Sequence, residues 1–165
     1  MTLSSIRFSL LITALLPLAS VACGGSDSTS EPVASTPLAG KINGQAFSAK
    51  SAVGSVLDPM SGKRFITISS EAITCASGSS SPQPEVLTSI AWKEGTTADF
   101  SLSTNATLAF PKGDTIENNV ATTGRIEVIK APTTVGAKGQ IRLRAVIDDS
   151  NTVEGQIDVE VCPDF

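Results

Sequence analysis

The sequence predicts an all-β domain, an antiparallel β-sandwich or partly open β-barrel of about eight strands. Three observations predict it. From Leu38 onward apolar residues recur at a spacing of two, not three or four. Clusters of Gly, Asn, Asp and Pro interrupt them at short intervals, as turns between strands do. The last two apolar stretches carry complementary charge patterns, as paired strands require.

Taken in order, Lys41 to Phe47 holds Asn43-Gly44 between two extended stretches, and both turn residues tolerate the positive φ of a tight hairpin. Ala52 to Leu57 reads as the next strand. Asp58-Pro59-Met60-Ser61-Gly62 has the Pro and Gly of a turn, and Arg64 to Ser69 behind it is β-branched and aromatic. Ser77 to Pro84 is a loop by composition, after which Val86, Thr88, Ile90 and Trp92 alternate. Pro111 to Asp114 reads as a turn, Gly124 to Ile129 as a strand and Pro132 to Gly139 as a loop. Glu71 to Thr74 and Thr115 to Ala121 are the two segments with room for a helical turn.

At the carboxyl end Ile141, Leu143, Ala145 and Ile147 share one strand face while Arg142 and Arg144 share the other. Val153, Ile157, Val159 and Val161 alternate with Glu154, Asp158 and Glu160, and Asp148 to Thr152 is the turn between the strands. Pairing Ile147 with Val153 sets Leu143 opposite Ile157 and Arg142 opposite Asp158. That register is the expectation for this hairpin.

The amino-terminal segment is different in kind. Arg7 precedes an apolar run from Phe8 to Leu16, followed by Pro17 and small residues, which is the layout of an export signal and too short for a membrane span. The run Leu18-Ala19-Ser20-Val21-Ala22-Cys23 resembles the lipobox of bacterial lipoproteins, with Ser20 where Leu is usual. The resemblance implies cleavage before Cys23 and acylation of that cysteine. Ser20-Val21-Ala22 also fits an ordinary secretory cleavage site, so an unlipidated secreted protein stands as an alternative. Gly24 to Pro32 is polar and small, a tether with nothing to bury. Gly24, in place of Asp, resembles the pattern of lipoproteins sorted to the outer membrane. The expected organisation is signal peptide 1–22, flexible tether 23–37 and β-rich domain 38–165, held in the cell envelope by membrane lipid through Cys23.

Composition narrows the chemistry. The chain has no histidine, which removes the commonest general base and metal ligand. It carries 12 basic and 16 acidic residues, and loss of Arg7 with the signal makes the balance more negative still. Such a surface repels phosphate backbones, so nucleic acid is not an expected partner. No G-x-S-x-G elbow occurs. No catalytic residue, cofactor or metal site is singled out, and the domain is expected to be non-enzymatic, binding an envelope protein or small ligand. An enzyme built on carboxylates is the alternative, because any two of the many acids are free to meet in space.

With Cys23 taken by lipid, Cys75 and Cys162 form an even pair in an oxidising compartment, and a single disulfide is the natural reading. A redox or metal role lacks both C-x-x-C spacing and histidine. Gly40-Lys41-Ile42-Asn43-Gly44-Gln45-Ala46-Phe47 at the start, and Gly155-Gln156-Ile157-Asp158 with Cys162 at the close, resemble a group of small bacterial lipoproteins of uncharacterised function. The resemblance implies a β fold and a mid-chain to C-terminal disulfide, and brings no catalytic residues.

Four further candidates carry bland alternatives. Asp148-Asp149-Ser150-Asn151 gathers oxygen ligands suited to Ca2+, but without EF-hand spacing, and a solvated hairpin tip is the commoner use. Asp114, Glu117, Asn118 and Asn119 have the same ambiguity. Trp92 is either a stacking platform or, from its alternation with Ile90, a core residue. Ser61-Gly62-Lys63 resembles a truncated S-G-x-x-x-K motif of membrane-bound lysozyme inhibitors, set in a turn.

Overall fold

The computed structural model describes residues 31–77 and 82–163. The signal segment 1–22, Cys23, the linker as far as Ser30 and part of the Ser77 to Pro84 loop lie outside the described residues.

Strands make up 59% of the structure and no helix occurs among the described residues, so the all-β expectation holds. In chain order the strands are β1 (Ala39–Ile42), β2 (Gln45–Ser48), β3 (Ser51–Leu57), β4 (Lys63–Ser69), β5 (Glu85–Ala91) and β6 (Thr97–Asp99). They continue with β7 (Ala106–Lys112), β8 (Thr115–Ala121), β9 (Thr123–Lys130), β10 (Lys138–Asp148) and β11 (Asn151–Val161). Their spatial order is β6-β9-β10-β11-β3-β4-β5-β7-β8, with β1 beside β11 and β2 beside β1. The single sheet curls into a partly open half-barrel, bringing β8 back toward β10 and β1 toward β7.

Alternation in the sequence becomes inside and outside of this curl. Ile66 and Ile68 of β4, Val86 and Ile90 of β5, Leu108 of β7, Ile126 and Val128 of β9, Ile141 and Leu143 of β10, and Val153, Val159 and Val161 of β11 fill the interior. Burying each such side chain contributes about 1.5 to 3 kcal/mol, so the interior is the main source of stability. Trp92 belongs to this core: its Nε1 donates to the Pro132 carbonyl at 2.8 Å, and the Arg64 guanidinium lies 5.8 Å above its ring. Trp92 is therefore a packing residue and presents no stacking platform.

Among the described residues every strand pair is antiparallel except one. β11 and β3 run parallel through two register pairs, Glu160 with Val53 and Val161 with Gly54. This short joint connects the two halves of the sheet. The buried Arg64 braces it from inside, donating from Nη1 to the Gly54 carbonyl at 2.9 Å and the Cys162 carbonyl at 3.4 Å. Outside the sheet, Cys75 and Cys162 stand at disulfide distance, with Cα atoms 5.2 Å apart, in a small cluster with Val53 and Ile73.

The β1–β2 hairpin forms as expected, with φ of 53° at Asn43 and 72° at Gly44. Elsewhere the structure corrects the expectations. Eleven strands lie among the described residues, not about eight, because β6, β7 and β8 were not foreseen. In β7 the consecutive buried residues Leu108, Ala109 and Phe110 break the alternation, and Pro111 stands inside the strand. Thr115 to Ala121 is the edge strand β8 and not a helical turn; its pairing with β7 outweighs the poor strand preference of Asn118 and Asn119.

The β10–β11 hairpin exists, but its register is two residues from the expected one. Leu143 faces Gly155, Arg142 faces Gln156 and Ala145 faces Val153. A register irregularity between Val146 and Asp148, with a two-residue turn at Asp149 and Ser150, produces the shift. Because the slip is even, the apolar set stays inside, and Ile147 at the irregularity is left exposed.

Candidate functional site

The longest hairpin exposes one continuous polar face. On its outer side β10 and β11 set Lys138 opposite Glu160, Gln140 opposite Asp158, Arg142 opposite Gln156 and Arg144 opposite Glu154. Three of these pairs are joined: Gln140 Nε2 donates to Asp158 Oδ1 at 3.0 Å, Arg142 Nε to Gln156 Oε1 at 3.0 Å, and Arg144 Nη2 meets Glu154 Oε1 at 3.1 Å. β9 extends the face with Arg125 and Glu127, whose Nε and Oε1 are 3.2 Å apart.

One end of this face is covered by the chain's own amino-terminal segment. Arg144 Nη2 donates to the Pro32 carbonyl at 3.0 Å, and the backbone N–H of Ala34 donates to Glu154 Oε1 at 3.0 Å. Val33 between them is buried, and the Gln156 N–H then donates to the Thr36 carbonyl at 2.7 Å. Residues 32–37, expected within the tether, thus lie strapped across the hairpin before β1 begins. Replacing Arg144 with Ala is expected to free this strap at a cost of about 1 kcal/mol. Limited proteolysis would then nick the variant between Glu31 and Pro37 while the wild type resists.

Beside the strap the sheet opens. β11 is flanked on one edge by β1 at Thr152–Glu154 and by β3 at Glu160–Val161, and among the described residues no strand is paired to the stretch between. A groove of about 610 Å³ occupies the opening. Lys138, Gln140, Gln156, Asp158 and Glu160 form its floor, and Ser35 and Pro37 of the strap form one side. The β2–β3 connection, Ala49 and Lys50, and the start of β3, Ser51 and Ala52, form the other side, and Ile73 lines it as well. Ser51 fixes that wall: its hydroxyl donates to the Glu71 carbonyl at 2.6 Å and accepts the Ile73 N–H at 2.8 Å. Among the described residues, no ion pair engages Lys50, Lys138 or Glu160.

The groups singled out in the sequence fall elsewhere. Asp148 accepts the Ser150 N–H at 2.8 Å and the Asn151 side-chain amide at 3.1 Å, while Asn151 Oδ1 accepts the Asn43 N–H at 2.8 Å. This acidic turn is therefore the bracket that docks the β1–β2 hairpin onto the β10–β11 turn. Glu117 is paired with Lys112 at 2.6 Å on edge strand β8. Asp58 accepts the Ser61 hydroxyl and the Met60 N–H, which holds its carboxyl below the usual range and stiffens the β3–β4 turn. No group of three or more Cys, Asp or Glu side chains converges to hold a metal among the described residues.

Of the groove residues, Asp158 and Glu160 were legible only as the polar side of a strand, and Lys50, Lys138, Gln140 and Gln156 not at all. The one signal for them was the cross-strand charge pattern, readable once the register is known. Family models, curated proteins and solved structures yield no match to this chain.

Proposed function

We propose that this chain is a lipid-anchored lipoprotein of a bacterial cell envelope whose β domain is a non-enzymatic binding module. The observation that supports it best is the Cys75–Cys162 pair at disulfide distance. A disulfide belongs to an oxidising compartment, which an export signal would deliver the chain to. Of the three cysteines, that pairing leaves Cys23, in its lipobox-like setting, for acylation.

The strap adds a geometric consequence. If Glu31 is held at the sheet, eight residue-to-residue steps separate it from Cys23, a reach of at most about 28 Å at about 3.5 Å per step. Binding would then take place close to the bilayer surface, with the outer membrane as the proposed destination. The groove between strap and β3 gives such a module a place for a small ligand, and its lining has the mixed polar and apolar character of one.

Membrane fractionation with mass analysis of the amino terminus tests the anchor. The wild type is expected in the membrane fraction with an acylated Cys23 as its first residue, because each buried CH2 contributes about 0.8 kcal/mol to retention. Cys23→Ala is expected to abolish acylation and to remove the protein from that fraction. A soluble wild-type product with an unmodified Cys23 thiol would replace the lipoprotein reading with the secreted one.

A further inference from the structure

We propose that the groove beside the strap binds a small zwitterion of the peptide class, a di- or tripeptide with both termini free. The proposal deepens the binding reading given above and rests on it, though not on the lipid anchor.

Charge comes first. The groove offers two ammonium groups, Lys50 and Lys138, and two carboxylates, Asp158 and Glu160. None of Lys50, Lys138 and Glu160 is held in an ion pair among the described residues, so these charges remain available to a ligand. A phosphorylated ligand would meet both carboxylates, and a simple cation would meet both lysines. A ligand carrying one charge of each sign, about 7 to 10 Å apart as at the ends of an extended di- or tripeptide, satisfies the set.

The neutral part of the lining selects further. Among the described residues no aromatic ring lines the groove, so a sugar would lack the face it commonly packs on. Gln140 and Gln156 are amides that both donate and accept, as a peptide group requires. Their side chains already bond to Asp158 and Arg142, which holds them in place on the floor.

Length sets the limit. Between its bridge to Pro37 at Gln156 and its register with Val53 at Glu160, β11 has an edge with no strand paired to it among the described residues. At about 3.3 Å per residue this opening is about 13 Å long, enough for two or three extended residues and no more. An extended ligand laid there would add main-chain hydrogen bonds to the exposed edge, as strand addition does.

The test uses the processed chain, purified from whichever fraction holds it, with detergent where that is the membrane, labelled with 15N and titrated with trialanine. Amide shifts are expected at Ser51, Gln140, Asp158 and Glu160. N-acetyl-trialanine amide, which has the same backbone without terminal charges, should bind at least about tenfold more weakly, as should trialanine to Lys138→Gln or Glu160→Gln. Both residues lie at the open end of the hairpin, Glu160 beside the β11–β3 joint, so an unchanged unfolding midpoint is the check that the fold is intact. The proposal is overturned if trialanine leaves these amides unmoved, if the blocked peptide binds equally well, or if maltotriose shifts the same amides more strongly. Membrane retention together with any of these outcomes removes the ligand assignment and leaves the anchor standing. Loss of retention with the expected shifts does the reverse.

Discussion

Replacing Cys75 and Cys162 together with Ala is expected to lower the free energy of unfolding by about 4 to 5 kcal/mol, the chain-entropy value for a loop of this size. The separation of 87 residues makes the cross-link long, and a long closed loop removes much conformational freedom from the unfolded chain. Its position adds a reason particular to this fold. The cross-link sits beside the β11–β3 joint, where two register pairs hold the two halves of the sheet together. Without it the joint relies on that short ladder, the Arg64 bonds and the shared interior. A small domain has about 5 to 15 kcal/mol in total, so the loss takes a large share.

Denaturant titration of the double variant checks this. The midpoint should fall, and the dependence on denaturant should steepen, because an unfolded chain without the cross-link exposes more surface. Ala is the right replacement, since Cys162 is buried and a hydroxyl there would need a partner. A loss below about 1 kcal/mol would show that the cross-link contributes little to the joint or to the unfolded ensemble.

How much of this was legible in the sequence depends on the length scale of each feature. Local signals served well: Asn43-Gly44 specified its turn, and alternation in β4, β5, β10 and β11 separated interior from exterior. Register was less secure. An even slip leaves alternation untouched, so the choice between Arg142 facing Asp158 and Arg142 facing Gln156 fell to the irregularity near Val146, which no periodicity reveals. Edge strand β8 was hidden by its composition, because half of it faces solvent and its outward apolar residues Ile116 and Val120 are exposed. The groove was the least visible feature. Its walls come from the strap, the β2–β3 connection and the β10–β11 hairpin, which only the fork in the sheet brings together. The strap itself reads as linker, since backbone groups at Pro32, Ala34 and Thr36 make its hydrogen bonds.

The second large effect tests that strap directly. Gly155 lies in β11 where the strap crosses, with φ of 141°, a conformation L side chains rarely adopt. A Cβ there would stand 2.6 Å from the Leu38 Cα and 2.6 Å from the Thr36 carbonyl oxygen. Both are backbone, so the strap must lift. Lifting strains the Thr36 and Leu38 hydrogen bonds to Gln156 and draws the buried Leu38 from the core. Overpacking contributes about 1 to 3 kcal/mol and backbone strain a similar amount, so Gly155→Ala is expected to cost about 3 to 5 kcal/mol. Gly113 provides the control. It also has a positive φ, 61°, but a Cβ there meets nothing within 4 Å, so Gly113→Ala should cost only about 1 kcal/mol. Unfolding midpoints give the two losses, and amide exchange at Leu38 and Gln156 should accelerate in Gly155→Ala alone. Equal losses in the two variants would mean that conformational preference, not the crossing, explains the glycine, and that the strap is not a fixed wall of the groove.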